Sequence, residues 1–163
     1  MSFAIRELPV GGGVLALCPM PGRGGEFADD VARVLDWAPD LVVSMTGAAE
    51  MAAARDLPHV LAQGGVGWRH YPVGDFGVPD DKGDAGWPAL AGEMQAVLVQ
   101  GGRVLLHCLG GCGRSGMVAL ALMVRAGEAP DTALARLRAV RPCAVETAAQ
   151  LAWASDQAEG TRA

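Results

Sequence analysis

Lysine is nearly missing. Of thirteen basic side chains in 163 residues, twelve are arginine and the other is Lys82. Eighteen acids oppose them and leave a net charge of −5. That balance, with no basic run, argues against a nucleic-acid partner held by general charge attraction, though not against a local anion pocket. Long hydrophobic runs are missing too. The longest, within Gly116–Val124, is about half of the ~18–20 residues that span a bilayer, so no membrane partner is expected. Met1–Arg6 has no basic stretch followed by an apolar core; no secretory signal is expected, and the expected location is cytoplasmic. Cysteine is sparse: Cys18, Cys108, Cys112 and Cys143 do not make a disulfide scaffold. No Cys-x-x-Cys pair occurs and His59 lacks a Cys or His partner at zinc spacing, so neither a metal nor another cofactor is expected. Repeats, low-complexity tracts and linkers are likewise missing. With 51% apolar and 19% charged residues, the composition excludes wholesale disorder and predicts a single domain over 1–163.

Short apolar runs bounded by Gly or Pro predict buried strands at Gly13–Leu17, Leu41–Ser44 and Arg103–His107. Weaker candidates are Gly67–Tyr71 and Ala4–Leu8. Helical periodicity covers Glu26–Trp37, Ala48–Asp56, Trp87–Gln100, Gly113–Ala126, Thr132–Val140 and Glu146–Gln157. Pro130-Asp131 suits the start of the fifth of these, and Gly101-Gly102 the end of the third. Alternating strands and helices predict an α/β fold, with a mixed or largely parallel sheet of about four to five strands flanked by helices. Beyond Gly113 the chain reads as all helical.

The segment richest in chemistry follows the last strand: His107-Cys108, then Leu109-Gly110-Gly111-Cys112-Gly113, then Arg114-Ser115 and an apolar helix. A Gly-rich loop between a buried strand and a helix N-terminus points amide N–H groups at an anion, and the helix dipole adds partial positive charge. Leu109 to Gly113 are therefore the candidate phosphate-binding residues. Arg114 is placed to fork two parallel hydrogen bonds onto a tetrahedral oxyanion, which lysine does not do. Cys108 stands at the mouth of the loop. A helix N-terminus and a nearby cation favour a thiolate, and a thiolate facing bound phosphate is a nucleophile for covalent phosphoryl transfer. Ser115 is the candidate donor to the departing sulfur. His107 is given a supporting role, bonding the loop and tuning the thiol.

The pattern His107-Cys108-(five residues)-Arg114-Ser115 resembles the signature of cysteine-dependent protein tyrosine and dual-specificity phosphatases. Three further segments are similar to the cyclin-dependent kinase inhibitor 3 (kinase-associated phosphatase) type of that family. They are Leu15-Ala16-Leu17-Cys18-Pro19-Met20-Pro21-Gly22, the stretch from Tyr71 to Asp80, and Ala144-Val145-Glu146-Thr147 with Gln150. Tyr71, Phe76 and Glu146 depart from its pattern, where His, Gly and Gln stand. The resemblance implies a phosphatase-like fold, a phosphocysteine intermediate, no cofactor, and an aspartate general acid on a mobile loop before the cysteine. Asp75 lies thirty-three residues before Cys108, between Gly74 and Gly77, and is the preferred acid. On spacing alone Asp80, Asp81 and Asp84 serve as well. Glu146 either orients the water of the second step or is a helix first-turn acid.

The expected substrate is a phosphorylated protein or small phosphomonoester. Phosphoinositides, inositol phosphates and nucleotides are the alternative, which the loop's lack of further cations weakens. Asp75 weighs against sulfur-transfer and arsenate-reducing domains, and the complete set of reactive residues against a non-catalytic phospho-binding module. Cys112 is either a small loop residue or a trap for oxidised Cys108; Cys18 and Cys143 are expected to be buried. Trp37, Trp87 and Trp153 are expected in the core or an interface. Trp68 is an alternative flank of the site. Arg136, Arg138 and Arg141 are expected on a solvated helix face, the alternative being a basic face towards phosphorylated substrate. The sequence carries no signal for an oligomeric state.

Overall fold

The computed structural model describes residues 2–80 and 86–158. Its strands are β1 (Arg6–Val10), β2 (Gly13–Cys18), β3 (Leu41–Ser44), β4 (Gly67–His70) and β5 (Arg103–His107). They form one sheet in the order β1-β2-β5-β3-β4. Strands β2, β5, β3 and β4 run parallel; β1 lies antiparallel on the β2 edge. Gly11 and Gly12 make the turn between β1 and β2 with φ of 60° and 98°, the two left-handed residues that a tight hairpin requires.

The helices are α1 (Phe27–Trp37), α2 (Leu57–Gln63), α3 (Gly86–Val99), α4 (Gly113–Arg125), α5 (Pro130–Val140) and α6 (Ala148–Ser155). Alternation along the strands separates two apolar layers. Leu15, Leu17, Leu41, Val43, Val104 and Leu106 pack with α3, α4, α5 and α6. Ala16, Cys18, Val42 and Leu105 pack with α1 and α2. Helix α4 is buried throughout except at Arg125, as befits a helix that is apolar all round. Trp87 and Trp153 meet edge to face at 4.8 Å in the first layer, while Trp37 is only partly buried. Among the described residues, no helix is long and apolar enough to cross a membrane.

Three elements differ from expectation. Strand β1 runs Arg6–Val10 rather than Ala4–Leu8. The stretch predicted as a helix over Ala48–Asp56 is a short 3-10 turn, Glu50–Ala54, followed by α2. Pro58 falls in the first turn of α2, where its missing N–H costs no hydrogen bond, so it opens a helix rather than preventing one. Helix α6 begins at Ala148, with Thr147 as its cap.

Candidate active site

Strand β5 lies at the centre of the sheet and delivers Cys108 at its carboxyl end. The segments after β2, β3 and β4 emerge on the same side, because those strands run parallel to β5. This is where open α/β sheets bind ligands.

The backbone of the loop is fixed from its outer side. The Cys108 carbonyl accepts from His107 Nδ1 at 3.0 Å, and the Leu109 carbonyl from the Met20 amide at 3.0 Å. Arg141 donates from Nη2 to the Gly110 carbonyl at 2.8 Å and from Nε to the Gly111 carbonyl at 3.0 Å. The Cys112 carbonyl accepts from the amides of Val145 at 3.1 Å and Gly116 at 2.9 Å. Every peptide bond described is trans, and in a trans peptide the N–H points opposite to the preceding carbonyl. Five carbonyls bonded outward therefore turn the N–H groups of Leu109, Gly110, Gly111, Cys112 and Gly113 to the concave side. Gly111 is required twice over: its φ is +74°, and a Cβ there would stand 2.6 Å from the Cys18 carbonyl carbon.

Arg114 enters this concavity from the first turn of α4 and is buried, at 1% exposure. Glu50, on the 3-10 turn after β3, holds its two Nη atoms with both carboxylate oxygens at 2.8 Å each. Nη1 also reaches the Val73 carbonyl at 3.0 Å. Arg114 Nε is buried without a hydrogen-bond partner among the described residues. The fork pulls the Glu50 carboxyl down to about 2 and raises the guanidinium above its ordinary value, so both stay charged at neutral pH.

Cys108 is buried, and the Ser115 hydroxyl lies 3.0 Å from its sulfur. Asp75 sits across the site, half-exposed, with Oδ1 at 3.5 Å from Arg114 Nη2. Its loop hangs on β3: the amides of Tyr71 and Val73 donate to the carbonyls of Ser44 and Met45. Asp80 is exposed, and Asp81 and Asp84 lie outside the described residues. His107 is fully buried, which holds its imidazole down at about 4 and neutral at pH 7.

Glu146 lies before the Thr147 cap rather than in the first turn of α6, so it is not a first-turn acid. Its carboxylate rests against Gly113, in the space a Cβ there would take. Gln150 is buried, closes the capping box with Thr147, and donates from Nε2 to the Gly77 carbonyl at 3.1 Å. It thereby ties α6 to the Asp75 loop.

The cysteines bring a correction. Cys112 is neither an isolated loop residue nor paired with Cys108: it is bonded to Cys143, with the two Cα atoms 5.2 Å apart. Cys143 is exposed rather than buried. The turn after α5 brings it beside the loop, within the usual disulfide range. Cys18 is buried, as expected, and burial raises its thiol well above the ordinary value. The arginines bring a second correction, because Arg141 is buried on the loop carbonyls and Arg138 donates to the carbonyls of Ala144 and Val145. Arg136 pairs with Glu128.

Residues 14–134 match the family model described as cyclin-dependent kinase inhibitor 3 (CDKN3). The chain belongs to that family. It is 34% identical over 136 residues to the cyclin-dependent kinase inhibitor 3 of Rattus norvegicus, covering 78% of this chain and 63% of the rat protein. The match thus spans less than two thirds of that relative. A crystal structure of kinase associated phosphatase (KAP), its catalytic-site cysteine replaced by serine, superposes with a TM-score of 0.82 at 24% identity, over 96% of this chain and 94% of that one. Tk-PTP in its active form gives a TM-score of 0.71 at 30% identity, covering 90% and 92%.

In this CDKN3 family member the cross-link ties the loop to the segment carrying Glu146, closing a span of 31 residues. Closing a loop of that length restricts the unfolded chain and contributes about 2–4 kcal/mol. Urea unfolding of Cys143→Ser, or of the reduced protein, is expected to show that loss. Equal stability in both states would mean that the pair is not bonded in solution.

Proposed function

We propose that this CDKN3 family member hydrolyses phosphomonoesters through a phosphocysteine intermediate, with phosphorylated tyrosine, serine or threonine on proteins as substrate. The observation that carries the reading is the pairing of a carbonyl-out, amide-in loop with a buried Arg114 whose Nε has no partner among the described residues. A buried cationic donor is costly to leave unbonded, and a bound oxyanion satisfies it.

In the first step the phosphoryl oxygens take hydrogen bonds from the amides of residues 109–113 and from Arg114. The Cys108 sulfur attacks phosphorus, the ester P–O bond breaks, and Asp75 gives its proton to the leaving oxygen. In the second step Asp75 takes a proton from water, and the water oxygen attacks phosphorus. The S–P bond breaks and inorganic phosphate leaves. Ser115, 3.0 Å from the sulfur, stabilises the departing thiolate by donating its hydroxyl proton to a hydrogen bond. Glu50 holds Arg114 in place, His107 supports the loop, and Glu146, beside Gly113 at the end of the loop, is the candidate to orient the water of the second step.

Purified protein is expected to hydrolyse an aryl phosphate in the presence of EDTA, with activity lost in Cys108→Ser. Asp75→Ala is expected to lower kcat about 10²–10⁴-fold while leaving substrate binding intact. Dependence on added metal, or an Asp75→Ala variant with full kcat, would contradict the reading.

A further inference from the structure

Behind the loop, away from the concave side, three hydrogen bonds run in series through the sheet. Trp68 on β4 donates from Nε1 to Ser44 Oγ at 2.9 Å. Ser44 Oγ, at the end of β3, lies 2.5 Å from His107 Nε2. His107 Nδ1 lies 3.0 Å from the Cys108 carbonyl oxygen. Ser44 and His107 are both fully buried, so no solvent completes these bonds.

The direction of every proton in this chain is determined. A carbonyl oxygen only accepts, so His107 Nδ1 carries the proton that faces it. A neutral imidazole has one N–H, which leaves Nε2 as an acceptor. Ser44 must then donate to Nε2, and it is free to do so because the indole N–H, a donor only, occupies a lone pair of Oγ. The charged and titratable groups facing His107 are Arg114, His70 and Glu50, none of which bonds to the imidazole.

We propose that Ser44 and Trp68 are positioning residues for the phosphate loop: they hold the Nε2 side of the His107 ring, and so keep its Nδ1–H on the Cys108 carbonyl, which stays turned out of the cradle. The inference rests on the phosphomonoesterase reading above. Without the Ser44 hydroxyl, Nε2 is a buried acceptor with no partner, and nothing on that side holds the ring in its orientation. A ring that turns withdraws Nδ1–H from the Cys108 carbonyl, and the first peptide of the loop loses its anchor. The amide of Leu109 is on that same peptide.

The test uses the full chain labelled with ¹⁵N, the His107 Nδ1–H proton and its exchange with solvent read by ¹H–¹⁵N correlation at pH 7, together with kcat and KM on an aryl phosphate. Wild type is expected to show His107 protonated at Nδ1, its proton protected from exchange. Ser44→Ala is expected to keep the proton on Nδ1 but lose that protection, and to lower kcat about tenfold, the equivalent of one buried hydrogen bond. Ser44→Thr is expected to restore both protection and rate. Trp68→Phe, which keeps an aromatic ring without the indole donor, is expected to give a smaller loss of about threefold and keeps the test alive should Ser44→Ala not fold. An active wild type whose Ser44→Ala variant keeps a protected Nδ1–H, or loses that protection at unchanged kcat, overturns this inference alone. A wild type without aryl phosphatase activity overturns the parent reading as well.

Discussion

Arg114→Lys is expected to lower kcat/KM on an aryl phosphate roughly 10²–10³-fold, the scale of losing a preorganised donor at a developing anion. Charge is conserved in this substitution, so the loss measures geometry. The guanidinium divides its donors: both Nη atoms are committed to Glu50, and Nη1 also to the Val73 carbonyl, while Nε is left for the oxyanion. An ammonium on a flexible stem does not satisfy two carboxylate oxygens and a phosphoryl oxygen from one rigid plane. The kinetics of Arg114→Lys and of wild type at several aryl phosphate concentrations provide the check. A Lys variant within about tenfold of wild type would show that a point charge suffices, and would remove the fork from the mechanism.

Glu50→Ala is expected to destabilise the fold by about 3–5 kcal/mol and to reduce kcat with it, because it strands the buried Arg114 charge. Urea unfolding supplies the first number. The pH dependence supplies a second, independent signature. Glu50 falls from an ordinary value of 4.5 to about 2 in the folded chain, chiefly through its hydrogen bonds to Arg114. A depressed carboxyl contributes stability in full above the unfolded value and loses it as pH falls from about 4.5 towards 2. Glu50→Ala is expected to lack that component of the acid transition. The component assigned to His107 lies higher: its imidazole is held down at about 4 against an ordinary 6.5. Between those values the unfolded chain takes up a proton that the folded one refuses, so stability falls as pH drops through that window. That portion should survive in Glu50→Ala. Equal acid transitions below pH 4.5 in the two proteins would show that Glu50 is not the partner of Arg114.

Much of this site is local in sequence, which is why it is legible there. The loop from Cys108 to Arg114 is one contiguous strand-to-helix turn, and its glycines, cysteine and arginine carry their chemistry wherever the rest of the chain lies. The strands are legible for the same reason, as short apolar runs between Gly and Pro. Residues that support the loop from elsewhere are another matter. Glu50 sits in Ala48-Ala49-Glu50-Met51, which reads as an ordinary helical start; only the parallel pairing of β3 with β5 puts that turn over Arg114. Arg141 reads as one of three arginines on a helix face, and its burial depends on α5 ending beside the loop. Cys112 and Cys143 pair across 31 residues, and no spacing rule specifies such a partner, since the bond depends on Cα separation in the folded chain. Helix α2 was obscured by Pro58, whose effect depends on whether it opens a helix or interrupts one.

The phosphocysteine itself is the most direct test. Wild-type protein mixed with an excess of aryl phosphate, quenched in acid within the first turnover and digested, should yield one phosphorylated peptide. It should be the one containing Cys108, its phosphate bound through sulfur, absent in Cys108→Ser and formed no more slowly than the overall reaction turns over. Phosphate on any other residue, or turnover at full rate with Cys108 unmodified throughout, would contradict covalent catalysis by this loop.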